Sequence, residues 1–105
     1  MNQPSLYRVV VSEKTSKMLM QHIQFVAKEN IEAAKKTKKE ITEAIISLYE
    51  MSHRFPFLNT SCVSPNKYHK LFVQKWYLVL YQVKDQTVYV DYILDCRQDY
   101  GWLIR

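Results

Sequence analysis

Side chains able to handle charge and protons crowd into the last third of the chain. His69 and Lys70 stand in one strand-like run, and Asp95, Arg97, Asp99 and Tyr100 close another. Lys, His, Tyr and Arg carried on adjacent strands make a surface suited to phosphates and bases. Arg97 offers a planar fork of donors that fits a phosphate; the same fork also fits a salt bridge to Asp95 or Asp99, which then position it. Tyr77, Tyr81 and Tyr89 serve sheet packing or base stacking. Of the other histidines, His22 reads as a partly buried helical residue and His53 as a loop residue. Trp102 is expected to close one end of the core.

Several chemistries are excluded at this level. The chain has a single glycine, Gly101. It therefore lacks the Gly-rich loops that cradle dinucleotide or triphosphate groups, and it lacks a glycine-flanked nucleophile elbow. Cys62, Cys96 and the histidines have no metal-ligand spacing, so neither a metal nor another cofactor is expected. The two cysteines are far apart in sequence and are expected to be free thiols.

These residues belong to a chain of 105 residues, 48% hydrophobic and 24% charged, with a formal net charge of +5. Such a length and balance predict one globular domain over residues 1–105. The positive charge favours an acidic or polyanionic partner. No apolar run reaches the ~20 residues of a membrane span. The N-terminus has no basic region followed by an apolar stretch, so the expected location is cytoplasmic.

The elements that must position the candidates follow from periodicity. Leu6 to Val11 is a β-branched run and predicts a strand. Ser12 is placed to cap a first helix over roughly 13–28, whose apolar stripe is Leu19, Ile23 and Val26. Asn30 is placed to cap a second helix, with Ile31, Ala34, Ile41, Ala44, Ile45 and Leu48 on one face. Lys35, Lys36, Lys38 and Lys39 form a solvated outer face or part of an anion-binding surface. With a junction this short the two helices should form an antiparallel hairpin. Residues 52–65 hold Pro56 and Pro65 and predict an irregular connection that packs down through Phe55, Phe57 and Leu58.

Three strands follow, over 67–74, 76–83 and 88–96, with turns at Gln74-Lys75 and at Lys84–Thr87. The middle one is apolar on both parities and should be central. In the last, alternation places Val88, Val90, Tyr92 and Leu94 on one face and Tyr89, Asp91, Ile93 and Asp95 on the other. The order β-α-α-β-β-β predicts an α+β domain, with a helical hairpin packed on one face of a small, mostly antiparallel sheet. The opposite face is expected to be partly open.

At Tyr7-Arg-Val-Val-Val-Ser12, the helical hairpin, Leu78-Val-Leu-Tyr-Gln-Val83 and Asp95-Cys-Arg-Gln-Asp-Tyr-Gly-Trp102, the chain resembles the RelE/ParE superfamily of toxins from bacterial toxin–antitoxin pairs. The resemblance implies a compact β-α-α-β-β-β domain and a cognate antitoxin. RelE-like members cut messenger RNA on the ribosome; ParE-like members poison DNA gyrase without nuclease residues. The set Lys70, Arg97 and Tyr100 favours the RelE-like reading, a metal-independent messenger-RNA endoribonuclease that causes growth arrest; a gyrase inhibitor without nuclease activity and a non-toxic binding module are the alternatives. Arg97 and Lys70 would then offset charge on the phosphate under attack by the 2′-hydroxyl. His69 would stand with Lys70 among the basic residues of that strand, and Tyr100 would move or orient a proton. Leu78 stands where many RelE-like members carry an Arg, and the sequence stops at Arg105 without the longer tail of some nucleases.

Overall fold

The computed structural model describes residues 6–51, 54–58 and 66–97. Six elements run in the order β1 (Arg8–Val11), α1 (Glu13–Ala27), α2 (Ile31–Met51), β2 (His69–Val73), β3 (Tyr77–Lys84) and β4 (Thr87–Asp95). Each helix starts where a side chain offers an acceptor to its first free amides. The Ser12 hydroxyl accepts from the Thr15 amide at 3.1 Å, and Asn30 Oδ1 accepts from the Ala33 amide at 3.0 Å.

The sheet order is β1-β4-β3-β2. β1 runs parallel to β4, and the other two pairings are antiparallel. β3 is central, as its doubly apolar pattern predicts. The turns need left-handed backbone at Gln74 (φ 54°), Lys75 (φ 72°) and Asp85 (φ 56°), without a glycine at any of them. Gln74 is held by α2: its amide donates to Glu40 at 2.8 Å and its carbonyl oxygen accepts from the Thr37 hydroxyl at 3.0 Å.

α2 supplies the main helical contribution to the core. Ile41, Ile45 and Leu48 are buried against Leu71, Val79, Tyr81, Val88, Val90 and Ile93. Ile31, expected on that stripe, is exposed instead, while Thr37 is buried on it.

α1 lies beside β4, where β1 has ended. The Thr15 hydroxyl donates to the Val90 carbonyl at 3.0 Å and His22 Nε2 donates to the Ile93 carbonyl at 2.7 Å. Thr15 thus adds a donor to a carbonyl that the Ser12 amide reaches only at 3.5 Å, and His22 satisfies one that a longer β1 would have paired.

The strand alternation needs one correction. The strict alternation in β4 fails because the register shifts between Leu80 and Tyr81, leaving Asp91 as an extra residue opposite β3. This bulge turns the remainder of the strand over. Val88 and Val90 face the helices before it; Ile93 faces them after it, and Tyr92 and Leu94 turn to the second face. The second face is open only in part, with Phe72 and Tyr89 exposed on it. Tyr68, Leu78, Leu80, Tyr92 and Leu94 are buried there, with Met18 of α1 and Leu58 packed against them.

Candidate functional site

Arg97 follows directly on β4. Asp95 pairs with Tyr77 across the sheet, and the Cys96 amide donates to the Trp76 carbonyl at 2.7 Å, which fixes the strand's exit. The Arg97 amide then turns back onto Asp95 Oδ1 at 2.9 Å. Its side chain completes the pair: Nε donates to Oδ1 at 2.8 Å and Nη2 to Oδ2 at 2.6 Å. The guanidinium also sits 4.9 Å from the centre of the Trp76 ring, within cation–π range.

The electrostatics follow from this geometry. Asp95 is buried, yet hydrogen bonds from Arg97 hold its carboxyl below the ordinary range against the opposing effect of burial. Arg97 is in turn held more firmly protonated, chiefly by its hydrogen bonds to Asp95. The Tyr77 phenol beside them is pushed up, first by burial and then by the Asp95 charge. His22 stands with its ring 5.6 Å from that of Tyr77. Between this corner and the helical hairpin lies a cleft of about 300 Å³, lined by Phe25, Asn30, Thr37, Gln74, Trp76 and Arg97.

The other candidates lie elsewhere. His69 is buried on the helix-facing side of β2, stacked between Phe57 (4.2 Å between centroids) and Tyr81 (5.0 Å). Its Nδ1 donates to the Phe55 carbonyl at 2.7 Å. Lys70 is on the opposite face, half-buried, level with Leu80 of β3 and through it with Tyr92 of β4. That is two strands and five residues from Arg97, roughly 20 Å at ordinary strand spacings. Arg97, Lys70 and His69 are therefore not brought together. Tyr100, with Asp99 and Trp102, lies outside the described residues, as do His53 and Cys62. Cys96 is exposed as a free thiol, and partial burial with the Asp95 charge pushes its pKa up.

A polar cluster on the second face is not apparent from alternation. Gln82 Nε2 donates to Asp91 Oδ2 at 2.8 Å. Tyr68 is pushed up to about 12, first by burial and then by Asp91. The Tyr68 and Tyr92 rings meet edge to face at 5.8 Å, and Lys14 reaches from α1 to within 4.1 Å of the Tyr92 ring centre. The bulge at Asp91 creates this grouping, and strict alternation hides it. Among the described residues, no three His, Cys, Asp or Glu side chains are grouped to hold a metal ion, and no helix is long and apolar enough to cross a membrane.

Comparison with known proteins places this architecture. The chain matches a solved structure described as "Chromosomal ParDE TA system from P. aeruginosa", with a TM-score of 0.70 and 16% sequence identity, over 87% of this chain and 97% of that one. At that identity the likeness shows the fold. No curated protein matches the sequence. The family described as "ParE toxin of type II toxin-antitoxin system, parDE" matches residues 9–100. The family implies an antitoxin partner. Spanning nearly the whole chain, that match establishes that the protein belongs to the ParE toxin family of type II toxin–antitoxin systems.

Proposed function

We propose that this chain is a ParE-like toxin that acts by binding, with DNA gyrase as its target, and does not cleave messenger RNA. The observation that carries this reading is the dispersal of the nuclease candidates. RNA cleavage by this set would need Arg97, Lys70, His69 and Tyr100 around one phosphate. Lys70 and Arg97 lie roughly 20 Å apart. His69 is engaged in stacking and a backbone hydrogen bond. Two donors of Arg97 are directed at Asp95, whose charge would also repel an incoming phosphate. Leu78 in place of an Arg agrees with this reading. The cleft beside Arg97 supports it too, because Trp76, Phe25 and Arg97 are residue types that commonly anchor protein interfaces.

The test is induced expression in a bacterial host without the antitoxin. Primer extension on translated messages and assay of gyrase-linked DNA breaks would run in parallel. Growth arrest with DNA breaks and intact messages is expected, and Lys70→Ala should arrest growth as the unaltered chain does. Cuts inside ribosome-occupied codons, lost in Lys70→Ala and Arg97→Ala, would replace this reading with the endoribonuclease. Expression without arrest, from a chain shown to be folded, would make it a non-toxic binding module.

A further inference from the structure

Among the described residues, four have left-handed backbone: Asn66, Gln74, Lys75 and Asp85. Asn66 and Asp85 are types that accept this region, because a short polar side chain can bond the local backbone. Gln74 (φ 54°) and Lys75 (φ 72°) are not such types, and they stand in succession in the turn between β2 and β3. Backbone of this kind persists only where the surroundings fix it, and it gathers where a chain must present side chains in one arrangement.

The surroundings here do fix it. The Gln74 side-chain amide donates to Glu40 Oε2 at 2.8 Å, and its carbonyl oxygen accepts from the Thr37 hydroxyl at 3.0 Å. Thr37 is buried, so α2 holds both ends of that amide on a rigid support. One residue beyond Lys75, the Trp76 carbonyl accepts from the Cys96 amide at 2.7 Å. The turn is therefore anchored to α2 on one side and to the exit of β4 on the other.

What this frame presents is Lys75 and Trp76. Lys75 is exposed and in no ion pair among the described residues. Trp76 is 42% exposed, although the Arg97 guanidinium lies 4.9 Å from its ring centre. Phe25, 64% exposed, lines the same cleft. Aromatic rings beside an Arg are the usual anchors of protein interfaces. Glu29 and Asp95 stand at the same corner, and their charges oppose a nucleic-acid phosphate. The corner therefore suits a protein surface that offers an apolar pocket for the indole and a carboxylate for Lys75.

We infer that the turn between β2 and β3 is the loop by which this chain holds its target protein: Lys75 and Trp76 make the contact, and Gln74 is a positioning residue that keeps them in place. This rests on the gyrase reading for the target's identity. The fold gives up stability at the turn to keep that shape, so stability and target affinity are set against each other there.

The test compares thermal melts with binding to purified DNA gyrase, using the folded, antitoxin-free full chain. Lys75→Gly adopts left-handed backbone without strain and should raise Tm by about 2–5 °C. The same variant should bind gyrase about 10-fold more weakly. Gln74→Gly relieves the neighbouring residue but cuts the tie to α2. Its affinity should fall by about 10-fold while its Tm stays within about 3 °C of the unaltered chain. Trp76→Ala should weaken binding by about 10- to 100-fold, and Trp76→Phe should recover part of that loss.

Unaltered gyrase affinity in Lys75→Gly and Trp76→Ala would overturn the contact loop while leaving the gyrase reading intact. A Lys75→Gly chain that is less stable, with affinity falling in step, would make the turn a purely structural element and overturn the inference. Absence of gyrase binding by the unaltered chain would overturn that reading and this inference with it. Binding of DNA or RNA alone, or a concentration-dependent dimer, lost in Trp76→Ala would assign the corner to that occupant and overturn the target protein.

Discussion

At the residue scale the decisive feature is the bond between Arg97 and Asp95. The presence of both residue types so close in sequence announces two outcomes, a phosphate ligand or an ion pair, and the backbone turn selects the pair by aiming the Arg97 amide at the same carboxylate. Arg97→Ala leaves Asp95 buried without its main donors, and should destabilise the fold by about 1–2 kcal/mol. That is less than for a fully buried pair, because the guanidinium is half exposed and solvent screens it. The Asp95 carboxyl is held low in the folded state. Its contribution is therefore present above the unfolded aspartate value of ~3.9 and lost as pH falls through the lower folded value. Urea melts should show the gap between the unaltered chain and Arg97→Ala at pH 7 closing as pH is taken well below 4. Tyr68 shows the opposite sign. With its folded pKa near 12, its contribution is present below the unfolded tyrosine value of ~10 and lost as pH rises towards 12. Absorbance titration should find that signal missing from the step near pH 10 and restored to it on unfolding.

At the scale of the elements, the helix starts were legible because Ser12 and Asn30 are local signals: a cap needs only an acceptor and the next few amides. The central place of β3 was legible from its two apolar parities. The reversal in β4 was not, because a bulge at Asp91 changes the face of every later residue without leaving a glycine or proline to mark it. The apolar cluster on the second face was hidden for a related reason. It depends on Tyr92 and Leu94 turning to that side and on Met18 and Leu58 reaching across from other elements. α1 also has a function in the fold beyond burying a stripe, since Thr15 and His22 occupy strand carbonyls. Thr15→Val keeps the shape of the side chain and removes its donor to Val90, and should cost about 1–2 kcal/mol by chemical denaturation. His22→Ala should loosen the Ile93 end of the same edge, seen as faster exchange of the nearby β4 amides.

For the whole molecule, the order of elements sufficed to predict a helical hairpin on a mostly antiparallel sheet, since short connections leave few ways to assemble them. The site was less legible. Alternation assigns a face to each candidate only if the strand is regular and both flanking strands are known, and convergence of Lys70 with Arg97 depends on register across three strands. The net charge of +5 was readable from composition alone, and it makes a kinetic prediction: association with an acidic antitoxin should slow as salt is raised from about 50 to 500 mM, with less change in dissociation. Stopped-flow measurements at several salt concentrations would check this.

The segment folded back along β2 has a further consequence for assembly. A sheet grows by adding strands, and growth in two directions requires two joinable sides. Here Pro56 to Leu58 cover the start of one side from within the same chain, so that a strand approaching β2 would have to displace a segment already bonded there. The segment acts as a built-in chain stopper at that end: it occupies backbone groups that end-to-end joining of sheets would otherwise need.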